Sequence, residues 1–112
     1  MRFDKFTLKA QEAVVRAQEL AQQKDHAELK PLHLLAALLR ETDGVVRPLM
    51  QKIGVNLDQL LGMVENELDR LPRATGTQLN IARATQDVFN EAQKQADRLK
   101  DEYVSTEHLI LA

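Results

Sequence analysis

The sequence has no cysteine and no tryptophan, and only one tyrosine, three phenylalanines, three prolines and four glycines among 112 residues. Without cysteine there is no disulfide and no thiolate chemistry, which fits a reducing compartment. Aromatic and β-branched residues are few, which argues against sheets. Gly44, Gly54, Gly62 and Gly76 are scattered, so no loop of backbone N–H groups stands ahead of a lysine to cradle a phosphate. The single serine, Ser105, lacks the flanking glycines of a nucleophile elbow. Charge of one sign is missing as well. The formal net charge is −2 with both signs interspersed, which gives no basic footprint for nucleic acid. No apolar run approaches membrane-spanning length, and the opening MRFDKF is too charged for a signal peptide. These absences lead us to expect a cytoplasmic, helical, domain-sized protein with no nucleic-acid or membrane contact.

Good helix formers dominate what remains: Ala, Leu, Gln, Glu, Lys and Arg. The chain also repeats itself. PLHLLAAL at 31–38 returns as TEHLILA at 106–112, with His33 matching His108 at an offset of 75. The same register pairs Gln11 with Gln86, Val14 with Phe89, Ala17 with Ala92, Ala21 with Ala96 and Leu29 with Val104. Two copies of a small helical bundle are expected, the second cut short.

Thr7 caps the first expected helix, whose apolar face is Ala10, Ala13, Val14, Ala17, Leu20 and Ala21. Its alanines allow a neighbouring helix to approach closely. Pro31 suits the first position of helix two, whose leucines cover a wide arc and place it near the centre. Helix three holds Val45 to Ile53, with Pro48 acceptable only in its first turn and Gly54 as a left-handed stop. Asn56 with Gln59 reads as a capping box for helix four, which reaches Leu71 before Pro72. PRATGTQLN at 72–80 reads as a linker. Helix five spans roughly 82–100, with Ala82 where the repeat calls for a cap and Asn80 as a substitute. Ser105 caps helix six.

Few residues suggest chemistry. His33 and His108 stand in the first turns of equivalent helices, where satisfying local backbone groups competes with a metal or catalytic role. His26 falls in a loop. No His or carboxylate cluster has zinc-ligand spacing. Glu65, Glu67 and Asp69, and the mixed charges of helix five, read as solvated faces.

The double repeat with FT before helix one, PLHLLAALL and STEHLILA at equivalent helix starts, and LDRLPRATG between the copies closely resembles the Clp amino-terminal domain family. MRFDKFT and the Leu71-Pro72 junction are most similar to its ClpB-type, disaggregase branch. The resemblance implies an all-α fold of two four-helix repeats: 1–71, a linker at 72–80, and 81–112 truncated after its second helix. The family domain is expected to run beyond residue 112, leaving Leu109, Ile110 and Leu111 short of packing. The resemblance further implies a mobile domain at the pore entrance of a hexameric AAA+ chaperone, binding unfolded or aggregated polypeptide. This chain would hold no catalytic site and no cofactor, with ATP and magnesium bound by downstream ATPase modules of the same polypeptide. The family's polar site maps onto Thr7, Asp101 and Glu107, beside Tyr103. Each has a structural alternative: a cap for Thr7, a first-turn acid for Glu107, loop solvation for Asp101. Where family members have a partly apolar groove, this chain has Glu91, Gln95 and His108. The groove is then more polar, or its apolar contacts come from Phe89, Leu99 and Tyr103. The nearest alternative function is docking of an adaptor protein on a protease-linked Clp unfoldase. A DNA-binding regulator would need a basic recognition helix that is absent.

Overall fold

The computed structural model describes residues 5–42, 44–74, 79–99 and 103–112. Thr7 opens α1 (Leu8–Gln23), its extended backbone and its Oγ1, which accepts the Ala10 N–H at 3.2 Å, marking the N-cap. After α1, Asp25 turns the chain through a left-handed φ of 57° into β1 (Glu28–Leu29). Pro31 then starts α2 (Pro31–Arg40), where its missing N–H costs nothing. In α3 (Val46–Lys52) Pro48 falls in the first turn, and Gly54 beyond it has φ 91°, the left-handed stop its sequence position calls for. Asn56 accepts the Gln59 N–H at 3.1 Å to cap α4 (Leu57–Asp69), which ends short of Leu71. β2 (Asn80–Ile81), α5 (Arg83–Arg98) and α6 (Thr106–Leu111) follow.

The helical expectation holds, with two minimal parallel pairings that composition did not foretell. β1 pairs with β2 in the register Glu28–Asn80 and Leu29–Ile81, and Phe6 forms an isolated parallel bridge with Val104. Such short runs leave no hydrophobic alternation to read. Asn80 belongs to β2 and does not cap α5, and Ala82 at the N-cap has no side-chain bond to offer.

The two pairings are copies of each other. A shift of 75 turns Leu29 into Val104 and Phe6 into Ile81. The Thr7 N–H donates to the Val104 carbonyl at 2.8 Å, and the equivalent Ala82 N–H donates to the equivalent Leu29 carbonyl at 3.0 Å. Each copy therefore lends the segment leading into its first helix to the other, as in an isologous dimer. The core follows the same logic. α2 lies centrally against α1, α3, α4, α5 and α6. Phe6, Leu29, Leu38, Leu68, Phe89, Val104 and Leu109 form one buried cluster across both copies.

Candidate functional site

The exchange of lead-in segments brings the start of α1 to the start of α6. Phe6 is buried edge-on to Phe89, ring centroids 5.7 Å apart at 76°. Its carbonyl accepts from the Gln11 side chain at 3.0 Å. Val104 is fully buried, and its N–H donates to the Lys5 carbonyl at 2.7 Å. The residues flanking this buried bridge face outward. Tyr103 is 52% exposed and Leu8 is 71% exposed. Thr7 is half-buried, with its amide on Val104 and its hydroxyl oxygen on Ala10.

At the α6 start, Glu107 is exposed in the first turn and accepts the Ser105 hydroxyl at 3.1 Å. His108 is only 2% exposed, and its Nδ1 accepts the Ser105 N–H at 2.8 Å. The same device occurs in the first copy, where His33 Nδ1 accepts the Lys30 N–H at 2.9 Å. Both helix starts thus use an imidazole three residues in to satisfy the N-cap amide, the backbone role open to that sequence position. Any contribution of His108 to a surface groove passes through Ser105 and the helix start it holds.

Glu91 and Gln95 sit half-buried one turn apart on α5, bonded to each other at 3.3 Å. That bond runs along α5 and ties neither to Thr7 nor to Glu107. Asp101 lies outside the described residues. Of the three neighbours suggested as apolar contacts, Leu99 and Tyr103 are exposed, whereas Phe89 is wholly enclosed in the core and gives no surface. Leu8 supplies apolar surface beside Thr7 that the sequence motifs do not single out. With Val15, Gln11, Glu12, Arg16 and Glu19 it lines an open depression of about 320 Å³ along α1. A signal for it does exist: Leu8 and Val15 are apolar, seven apart, and off the alanine face.

Other polar features lie away from this junction. Glu41, buried at the end of α2, is held by Lys9 at 3.2 Å and Arg16 at 3.7 Å. The expected solvated acids of α4 carry partners: Arg40 on Glu65, Arg70 on Glu67 and Lys24 on Asp69. Among the described residues no group of three metal-ligating side chains converges. None of the helices described is long and apolar enough to cross a membrane.

The family model of the Clp repeat (R) N-terminal domain matches residues 5–112. The chain is 40% identical over 111 residues to the chaperone protein ClpB of Rhodopirellula baltica, covering 98% of this chain and 13% of that protein. Among solved structures, the Hsp104 N-terminal domain from Candida albicans superposes with a TM-score of 0.86 at 26% identity, covering 96% of this chain and 71% of that one. The N-terminal domain of the ClpV1 ATPase from E. coli gives 0.88 at 23% identity, covering 96% and 66%, a likeness of fold.

Proposed function

This chain belongs to the Clp repeat (R) N-terminal domain family, and from that premise we propose that it is the substrate-recognition domain of a ClpB-type disaggregase. It spans about an eighth of the length of its Rhodopirellula baltica relative. In this reading the chain binds exposed segments of unfolded or aggregated protein. It presents them at the pore entrance of a hexamer formed by ATPase modules elsewhere in the full polypeptide. Nucleotide chemistry belongs to those modules, since the scattered glycines of this chain build no phosphate loop.

The observation that carries this reading is the juxtaposition at the α1–α6 junction. The Thr7 amide is bonded to Val104, with Tyr103 and Leu8 exposed on either side and Glu107 at the adjoining helix start. An aromatic ring and a leucine offer apolar cover, while the acid favours Lys or Arg in the client. A client that orders on binding pays conformational entropy, so affinity falls at roughly 10 μM to 1 mM and weakens as salt rises. Adaptor docking at the same junction is the competing use, and the two separate by client.

The test is a nuclear magnetic resonance titration of the chain with a permanently unfolded protein. Shifts at Thr7, Leu8, Tyr103 and Glu107 are expected, with Glu107→Ala weakening binding severalfold and leaving the melting temperature within a few degrees. Shifts confined to α3 and α4 reject the site. If Glu107→Ala unfolds the domain, the residue is structural.

A further inference from the structure

Away from the client junction, a buried histidine pair lies where the two copies cross. His26 follows the left-handed turn at Asp25, and His33 stands in the first turn of α2. His26 Nδ1 and His33 Nε2 are 2.7 Å apart, and both rings are buried. The hydrogen bonds fix the tautomers. The Lys30 N–H donates to His33 Nδ1, so that nitrogen carries a lone pair and the proton of neutral His33 sits on Nε2. His33 Nε2–H then donates to His26 Nδ1, which places the His26 proton on its own Nε2. That last N–H is buried and has no hydrogen-bond partner among the described residues.

The pair sits beneath a clasp. Residues 24–30 are held against the segments that lead from the first copy to the second. Lys24 pairs with Asp69 at 2.6 Å, the Ala74 N–H donates to the Asp25 carbonyl at 2.7 Å, and the Asn80 N–H donates to the Ala27 carbonyl at 2.9 Å. β1 and β2 continue the contact. His26, Ala27, Glu28, Lys30, Leu71 and Pro72 line an open depression of about 240 Å³ at this layer.

We propose that the His26–His33 pair is a proton-operated latch, which holds the connection at 24–30 against residues 69–74 and 79–81 while both rings are neutral. Every accepting nitrogen in the relay is already in use, so a proton has no neutral place to land. On His26 it occupies Nδ1 and faces the His33 N–H. On His33 it occupies Nδ1 and faces the Lys30 N–H. Either way one bond of the relay is replaced by two opposed hydrogens and a buried positive charge. Of the charged groups around the pair, Lys24, Lys30 and Arg73 oppose a further cation and Asp69 favours one at His26. The backbone hydrogen bond at Lys30 favours one at His33, and Glu28 lines the same depression as His26.

Burial is the largest cause lowering both histidines from 6.5, with His33 brought to about 4. Their folded values lie below the unfolded one, so the unfolded chain takes up protons first as pH falls. The stability from neutral rings is complete above about pH 6.5 and is lost progressively toward about pH 4. Asp69 is held below the usual carboxylate range by its hydrogen bond to Lys24, so that ion pair persists through most of this window.

The experiment is native-state hydrogen exchange on the full chain at about pH 7.5 and about pH 4.5, corrected for the intrinsic pH dependence of exchange. Protection of the Ala74 and Asn80 amides is expected to drop at least about tenfold more than that of Ala17 within α1. The double variant His26→Phe/His33→Gln, which removes both titrating rings and leaves a side-chain amide oxygen three residues into α2 to accept the Lys30 N–H, is expected to abolish the difference. An equal response at all three amides overturns the latch, and so does a response that survives in the double variant lacking both rings. Nitrogen spectra of the wild-type imidazoles give a check that needs no variant. Both His26 and His33 are expected as Nε2–H tautomers at neutral pH, and a proton on Nδ1 of either ring refutes the relay.

Discussion

At Thr7 the hydroxyl oxygen and the amide serve different partners, and only the first is local. The oxygen accepts from Ala10 within α1, while the amide reaches across to Val104. Thr7→Ala removes the cap and keeps the crossing, so it is expected to destabilise the fold by about 1 kcal/mol. Urea denaturation measures this, and a loss well above about 2 kcal/mol would mean that the hydroxyl has a second role. The local half of Thr7 was legible because a cap needs only its own helix. The distant half was not, because nothing in FT names Val104 as its acceptor. His33 and His108 read in the same way. Their recurrence at an offset of 75 pointed to satisfaction of nearby backbone, and both imidazoles accept the N-cap amide. His26 has no counterpart in the second copy, where the matching position is Asp101. Its burial depends on the turn at Asp25, which sequence spacing does not reveal.

Between elements, the sharpest sequence signal was the alanine face of α1. Ala10, Ala13, Ala17 and Ala21 are all buried, and α2 packs against this helix. Small residues let the two helices approach closely, and interiors at crystal-like density leave no slack for added methylenes. Ala17→Leu is therefore expected to cost about 1–3 kcal/mol, read as a lowered urea midpoint with an unchanged slope. A neutral result would place a cavity at this contact. α5 repeats the arrangement with Ala92 and Ala96 but carries Phe89 where α1 has Val14. A large aromatic at that position suggests groove surface. The ring instead fills the centre of the molecule against Phe6, because the crossing of lead-in segments closes over it. The two-residue pairings lie below the length at which composition carries information, so the helices leave a pattern in the sequence and the seams between them leave none.

For the molecule as a whole, the exchange of lead-in segments decides how it comes apart. The sequence suggests a first copy able to close its own core and a second that leans on it. In the structure, Phe6 of the first copy is bridged to Val104 of the second, Leu29 is paired with Ile81, and the Thr85 hydroxyl donates to the Leu29 carbonyl at 2.6 Å. Leu109 and Phe89 share their buried cluster with Leu34, Leu38 and Leu68. Removing either copy would leave the other with unpaired backbone groups at both crossings and an opened apolar core, costs far larger than a marginal domain can absorb. The chain is therefore expected to unfold in one transition at neutral pH. Far-ultraviolet dichroism reports helices of both copies, whereas Tyr103 fluorescence reports the α1–α6 junction alone. Coincident urea midpoints and a calorimetric enthalpy equal to the van't Hoff value are the expected outcome. An earlier Tyr103 transition, with most helical signal retained, would mean that the first copy stands without the second. The crossing of Phe6 with Val104 would then be a contact made after the core closes rather than part of what closes it.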